Sequence, residues 1–168
     1  NIVRVFDFHR SEDLVFISME YIEGQNLAAF RRRFETLSYL KVMSFLHPIV
    51  DALAYAHSLG LVHRDVKSGN VLIDRHNMPR LTDFGIAAAL ISGGEALKIS
   101  SGGSLYCMSP QQLDGRQPQP ADDVYALGVL MYELLSGRPP FYPDITPAKI
   151  RHEIPQPINL QLADAGRD

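Results

Sequence analysis

The chain has 168 residues, 46% of them apolar and 21% charged, a balance that supports one globular core and excludes a disordered tail. Its 16 basic and 19 acidic residues leave a formal charge of −3, so neither nucleic acid nor an anionic membrane is the electrostatically indicated partner. The single cysteine excludes an intrachain disulfide and a cysteine-cage zinc site and fits a reducing compartment, and no uncharged run reaches the ~18 residues that a bilayer span needs.

The opening Asn1-Ile2-Val3-Arg4-Val5 has no initiator Met, basic n-region or apolar h-region. It reads as the continuation of a longer chain, neither a natural start nor a signal peptide, with the cytoplasm as the expected location. Residues 2–8 and 14–19 are β-branched and aromatic runs separated by a polar stretch, which predicts a hairpin. Two strands alone are marginal, so the hairpin must lean on a helical body or on further strands. Asn26 is an N-cap for a short helix through Phe34. A long helix follows from about Ser38 to Leu59, with a stripe of Met43, Leu46, Ile49, Val50, Leu53 and His57 and a C-cap at Gly60. Pro48 inside it predicts a kink or a separate first turn.

Beyond Gly60 the period shortens. Leu61-Val62, Val71–Asp74 and Arg80–Thr82 read as small strands carrying exposed loops. Residues 91–103 are rich in Ser and Gly, which predicts mobility. Asp123 to Leu135 is apolar almost all round at Val124, Leu127, Leu130, Met131 and Leu134, the pattern of a helix buried in the body. Gly137 stops it, Pro139-Pro140 prevent a restart, and a weak helix follows near Pro147 to Glu153.

The chemistry is concentrated in His63-Arg64-Asp65-Val66-Lys67-Ser68-Gly69-Asn70 and in Asp83-Phe84-Gly85. Two carboxylates, a carboxamide and an ammonium on loops beside short strands are the set that phosphoryl transfer needs: a proton acceptor, hard oxygen ligands for Mg²⁺ and a cation for the γ-phosphate. Nothing in the set suits zinc.

At these residues the sequence resembles the eukaryotic-type protein kinases, whose catalytic loop H-R-D-x-K-x-x-N and metal-binding D-F-G it reproduces at fixed spacing. Other segments fall in the family's order. Met19-Glu20-Tyr21-Ile22 is similar to the gatekeeper and hinge, residues 103–111 to the end of the activation segment, and residues 123–128 to the start of the central helix of the large lobe. The wording of residues 66–73 and 125–141 is nearest to bacterial serine/threonine kinases. The resemblance implies a mainly α fold with a small β part. Residues 1–22 would be a remnant of the kinase small lobe, its last two strands and the hinge, and residues 23–168 the large lobe, truncated at its C-terminal end.

It also implies roles. Asp65 would be the catalytic base and Lys67 the γ-phosphate contact, with a Lys there typical of serine/threonine kinases. Asn70 and Asp83 would hold Mg²⁺, while Met19 and the hinge backbone from Glu20 to Ile22 would receive the adenine of ATP over Leu72. Arg64 marks the class whose activation loop is switched by phosphorylation, because a guanidinium beside the base can pair with a phosphate. Ser100 and Ser101 are the favoured acceptors, and Ser104 aligns with the residue that bonds the catalytic Asp and Lys. The implied partner is a protein with a Ser or Thr acceptor.

Departures bear on activity. The Gly-rich loop, strand Lys and helix Glu of the small lobe do not lie within these 168 residues. Gln111 stands where the family has the Glu of Ala-Pro-Glu, which exchanges an ion pair for a hydrogen bond. Cys107 replaces a usual Tyr and Ser68 a frequent Pro. The competing reading is a pseudokinase or scaffold that binds nucleotide or protein without catalysis. A small-molecule phosphotransferase is a more distant one, since those enzymes typically lack Arg64 and the 104–111 segment. His63 is expected to be structural, packing under Phe84 and bonding backbone. Cys107 is expected to be a buried hydrophobe and not a reactive thiol. Arg31-Arg32-Arg33 reads as a solvated helix face, with docking of acidic substrates the sharper alternative.

Overall fold

The longest element, α2 (Tyr39–Ser58), begins where its sequence says it should. Ser38 is extended and its hydroxyl accepts the Lys41 N–H at 3.3 Å, so one orphan donor of the first turn is satisfied. The helix ends at Leu59, and Gly60 at φ 75° takes the left-handed conformation that side chains avoid. A computed structural model describes residues 1–10, 15–34, 37–84 and 105–159; the Ser- and Gly-rich stretch, Gly85 and the acceptor candidates Ser100, Ser101 and Ser104 lie outside the described residues.

α2 runs unbroken through Pro48, so no separate first turn forms. The carbonyl that proline leaves without a donor belongs to Ser44, an exposed residue, which limits the cost. The buried stripe is also turned relative to expectation. Val42, Phe45, Leu46, Ile49, Ala52, Leu53 and Ala56 face inward, whereas Val50 is exposed. Burying Phe45 and Ile49 completely contributes about 1.5–3 kcal/mol each.

The predicted hairpin forms as β1 (Val5–Arg10) and β2 (Val15–Met19), antiparallel with a register shift between Val5 and Asp7. A second sheet has three antiparallel strands in the order β3 (Gly24–Asn26), β4 (Val71–Asp74) and β5 (Pro79–Leu81). The chain start joins the two, since the Val3 N–H donates to Leu81 O at 2.9 Å and the Leu81 N–H to Asn1 O at 2.7 Å. Leu61-Val62 forms no strand; it is the irregular lead-in to His63.

Asn26 closes β3 and caps α1 (Leu27–Arg31), its side-chain oxygen accepting the Ala29 N–H at 2.7 Å. Past a 3₁₀ turn at Leu105–Cys107 come α3 (Pro110–Leu113), α4 (Pro120–Ser136) and α5 (Pro147–His152). α4 stops at Gly137, φ 90°, as its sequence predicts. It is less enclosed than its composition suggests, because Val124 is 63% exposed and the buried face is Asp123, Ala126, Val129, Leu130 and Leu134. The core joins that face to α2, Leu27, Val66, Val71, Ile73 and Leu81.

Gly24 allows β3 to approach β4. A Cβ built there would lie 1.9 Å from Ile73 O, a backbone atom that cannot step aside. Gly24→Ala is therefore expected to destabilise the protein by at least about 1–3 kcal/mol, the usual cost of overpacking. Gly128→Ala, in α4 with nothing within 4 Å of its Cβ, is expected to gain about 0.5–1 kcal/mol. Urea unfolding of the two variants reads the contrast directly.

Candidate functional site

The loop from His63 to Asn70 is organised by one buried carboxylate. Asp123, 0% exposed in the first turn of α4, accepts the His63 N–H and the Arg64 N–H, each at 2.8 Å, and faces His57 Nε2 on α2 at 2.7 Å. The sequence places Asp123 at the start of a helix without showing what its carboxylate bonds, because those partners lie about 60 positions away.

His63 is structural, as expected. Its ring is fully buried, Nε2–H donates to Thr82 O at 2.9 Å, Nδ1 accepts the Asp65 N–H at 3.2 Å, and the Phe84 ring lies 4.5 Å away between centroids. Burial, outweighing the Thr82 bond and the Asp123 charge, holds its pKa below the ordinary value and favours the neutral ring.

The bonds of the loop converge on Asp65. Its Oδ2 accepts from Lys67 Nζ at 2.6 Å and from Asn70 Nδ2 at 2.9 Å, and Asn70 Nδ2 also donates to Asp65 O at 2.8 Å. Asp65 and Lys67 are only half-buried, which leaves them within reach of solvent or a substrate. Asn70 begins the register of β4 with β5: the Thr82 N–H donates to Asn70 O at 3.0 Å, which brings the Asp83 segment alongside. Arg64 and Asp83 both hold left-handed backbone, φ 72° and 61°, although neither is glycine. Strain of this kind persists only where the surroundings over-determine it.

Both side-chain bonds of Asn70 use Nδ2, which leaves Oδ1 for a cation, and Asp83 is exposed. One carboxamide and one carboxylate are what Mg²⁺ takes from protein when substrate phosphates supply further oxygens, so these residues fit that ion. Among the described residues no three His, Cys, Asp or Glu side chains gather into an all-protein metal cage.

Toward the hinge, the Thr82 hydroxyl donates to Met19 Sδ at 3.8 Å. The Glu20 carboxylate accepts the Arg4 N–H at 2.8 Å and lies 3.8 Å from Arg80, while the Glu20 N–H donates to Arg4 O. What Glu20 retains for a ligand is its carbonyl. Ile22 follows, half-buried, and Leu72 turns away from the core-facing Val71 and Ile73. A cleft of about 430 Å³ lies elsewhere, between Gly24, Phe30, Ile73, Asp74 and Arg75. It contains none of the residues predicted to bind nucleotide.

A further contact was not legible. Ser68, nearly fully buried, donates to the Glu133 carboxylate of α4 at 3.2 and 3.3 Å, tying the 3₁₀ turn Ser68–Asn70 to that helix. Burial raises the Glu133 pKa, against the pull of Arg31 and the Ser68 bond. Arg31 accordingly departs from the solvated-face reading. It is half-buried and donates to Gly137 O, while Arg32 and Arg33 remain exposed. Cys107 is buried and its thiol pKa is pushed up, the state of an inert sulfur. Gln111 is exposed. The Arg64 side chain is exposed beside Asp65, and the Arg64 backbone carbonyl accepts from Gln112 Nε2 at 2.9 Å.

A helix-rich body, short antiparallel strands and a loop that gathers Asp65, Lys67 and Asn70 define the protein-kinase-like class. Residues 1–165 match the family model described as the protein kinase domain, and the chain belongs to that family. The serine/threonine-protein kinase PrkC of Bacillus subtilis is 40% identical over 141 residues, covering 84% of this chain and 22% of its own length. PkaA of Streptomyces coelicolor is 39% identical over 144 residues, with 84% and 26% covered. PknB of Mycolicibacterium smegmatis is 32% identical over 173 residues, with 97% and 28% covered. The chain thus spans about a quarter of the length of these relatives.

Proposed function

We propose that the protein containing this chain is a serine/threonine protein kinase that transfers the γ-phosphoryl of Mg·ATP to a Ser or Thr hydroxyl of another protein. The observation that carries the proposal is the Asp65 carboxylate braced by Lys67 and Asn70 on a loop that Asp123 fixes from below. In this reading Asp65 accepts the proton of the attacking hydroxyl, and the two braces hold its carboxylate in one orientation. Lys67, a few ångströms away, stands beside the transferring phosphoryl. Asn70 Oδ1 and Asp83 hold Mg²⁺, which when bound neutralises charge on the phosphate oxygens. Adenine would lie against Leu72 with the carbonyl of Glu20 and the backbone of Ile22 as its partners and Met19 behind it. Residues 1–22 belong to the small lobe and residues 23–168 to the large lobe.

Arg64 and phosphorylation of Ser100 or Ser101 would regulate transfer, with Ser104 a contact of the base. The protein substrate would be reached from the cytoplasm, by a free enzyme or by the cytoplasmic part of a membrane-anchored one. Among the described residues no helix is long and apolar enough to cross a membrane.

The test is phosphorylation by the full-length protein with labelled Mg·ATP, followed by mapping of the modified residues. Labelled Ser or Thr, lost on Asp83→Ala, supports the kinase. Nucleotide binding without transfer replaces it with the scaffold reading. The 168-residue chain alone contains neither Gly-rich loop nor strand Lys, and it is expected to turn over little or not at all. Labelling of a generic protein by the chain alone, abolished by Asp83→Ala, would overturn that expectation.

A further inference from the structure

The peptide unit between Arg64 and Asp65 is held at both ends. Its N–H, that of Asp65, donates to His63 Nδ1 at 3.2 Å, and its carbonyl oxygen, that of Arg64, accepts from Gln112 Nε2 at 2.9 Å. The preceding peptide is held as well, by the Arg64 N–H on Asp123 Oδ1 at 2.8 Å. These grips flank a residue at φ 72°, a conformation that an arginine seldom adopts.

Gln112 belongs to α3, and its other amide atom is also in use. Oε1 accepts the Ser109 N–H at 2.9 Å, while the Gln112 N–H donates to Ser109 Oγ at 3.1 Å, a capping box. The Ser109 hydroxyl donates in turn to Asp122 Oδ1 on α4, whose Oδ2 accepts the Gln119 N–H at 2.8 Å. The orientation of the Gln112 amide is thereby settled twice over. Reversing it would set NH₂ against the Ser109 N–H and oxygen against the Arg64 carbonyl.

We infer that Gln112 is a positioning residue for Asp65: one side chain caps α3 and fixes the plane of the peptide that leads into Asp65, so that the helix and the carboxylate are set together. Displacement of α3 would then rotate that peptide and move the carboxylate relative to Lys67 and Asn70. The inference rests on the kinase reading for its consequence in catalysis, and on hydrogen-bond geometry alone for the grip itself.

Gln112→Glu separates the two arms. A glutamate keeps the acceptor for the Ser109 N–H and is as good a capping-box residue, but it loses the donor and sets a carboxylate oxygen against the Arg64 carbonyl. Gln112→Ala removes both arms. In the full-length protein Gln112→Glu is expected to lower kcat by about 10–100-fold, the scale of a small misplacement of a reacting group, with KM for Mg·ATP and the melting temperature near wild type. Independently of turnover, amide exchange at Asp65 should speed up by about tenfold or more, since a bond of about 1.4 kcal/mol corresponds to that factor, while exchange at Leu113 in α3 holds. Wild-type kcat and unchanged Asp65 exchange in Gln112→Glu would overturn the inference and leave Gln112 as a cap only. A wild-type protein that transfers no phosphoryl group would sink the kinase reading, and the exchange result would still decide whether the grip exists.

Discussion

Asp65→Asn in the full-length protein is expected to lower phosphoryl transfer by about 10²–10⁴-fold while leaving nucleotide affinity close to wild type. The substitution is chosen for what it preserves. Asparagine keeps one side-chain oxygen, so Lys67 Nζ and Asn70 Nδ2, now 2.6 and 2.9 Å from Asp65 Oδ2, still have an acceptor. The peptide contacts with His63 and Gln112 involve backbone atoms and are untouched. What disappears is the negative charge and with it the capacity to take the hydroxyl proton. Asp83→Ala should behave differently, weakening Mg²⁺-dependent nucleotide binding because it removes a proposed ligand to the ion. Single-turnover labelling with titrated nucleotide separates the two effects. A fall of less than about tenfold for Asp65→Asn would show that another group takes the proton.

Much of the scaffold around these residues is written locally. Ser38 and Asn26 cap α2 and α1, Gly60 and Gly137 end helices in left-handed backbone, and the β-branched runs pair as β1 and β2. Each depends on side chains within a turn of the feature they specify. Other expectations failed where weights differ by size or context. The expected α2 stripe of Met43, Leu46, Ile49, Val50, Leu53 and His57 holds at Leu46, Ile49 and Leu53, yet Ala52 and Ala56 are also buried and Val50 is not. Alanine adds little to an apolar count, but its small volume lets facing elements approach. Leu61-Val62 looked like strand by composition, whereas the next two N–H groups are committed to Asp123.

The chemistry of the candidate site divides the same way. Asp65, Lys67, Asn70 and Asp83 stand out by type and spacing. The groups that orient them do not: Asp123 stands at the start of an apolar helix, Ser68 is one residue of the loop, and nothing in the sequence singles out Gln112. Their partners on other elements, from the Arg64 peptide to Glu133, are visible only once the chain is folded.

Among the described residues outside the apolar core, Asp123 should therefore carry the largest stability effect. Its two oxygens serve three partners with no exposure to water that might substitute for them. Asp123→Ala leaves the buried His63 N–H and the part-buried Arg64 N–H without acceptors, at about 1–3 kcal/mol each, so a loss of about 2–5 kcal/mol is expected. Asp123→Asn retains one acceptor but turns an NH₂ toward a donor, and should cost about 2–3 kcal/mol. Urea unfolding measures both, and amide exchange at His63 and Arg64 should accelerate well before global unfolding. A cost within about 0.5 kcal/mol, the range of a surface substitution, would mean that the loop keeps its shape without the carboxylate. The strained φ of Arg64 would then have to be held by the Gln112 and His63 contacts. If instead the loss is large and Asp123→Asn also slows phosphoryl transfer far more than its stability deficit accounts for, the same carboxylate holds α4 to the core and sets the geometry of Asp65.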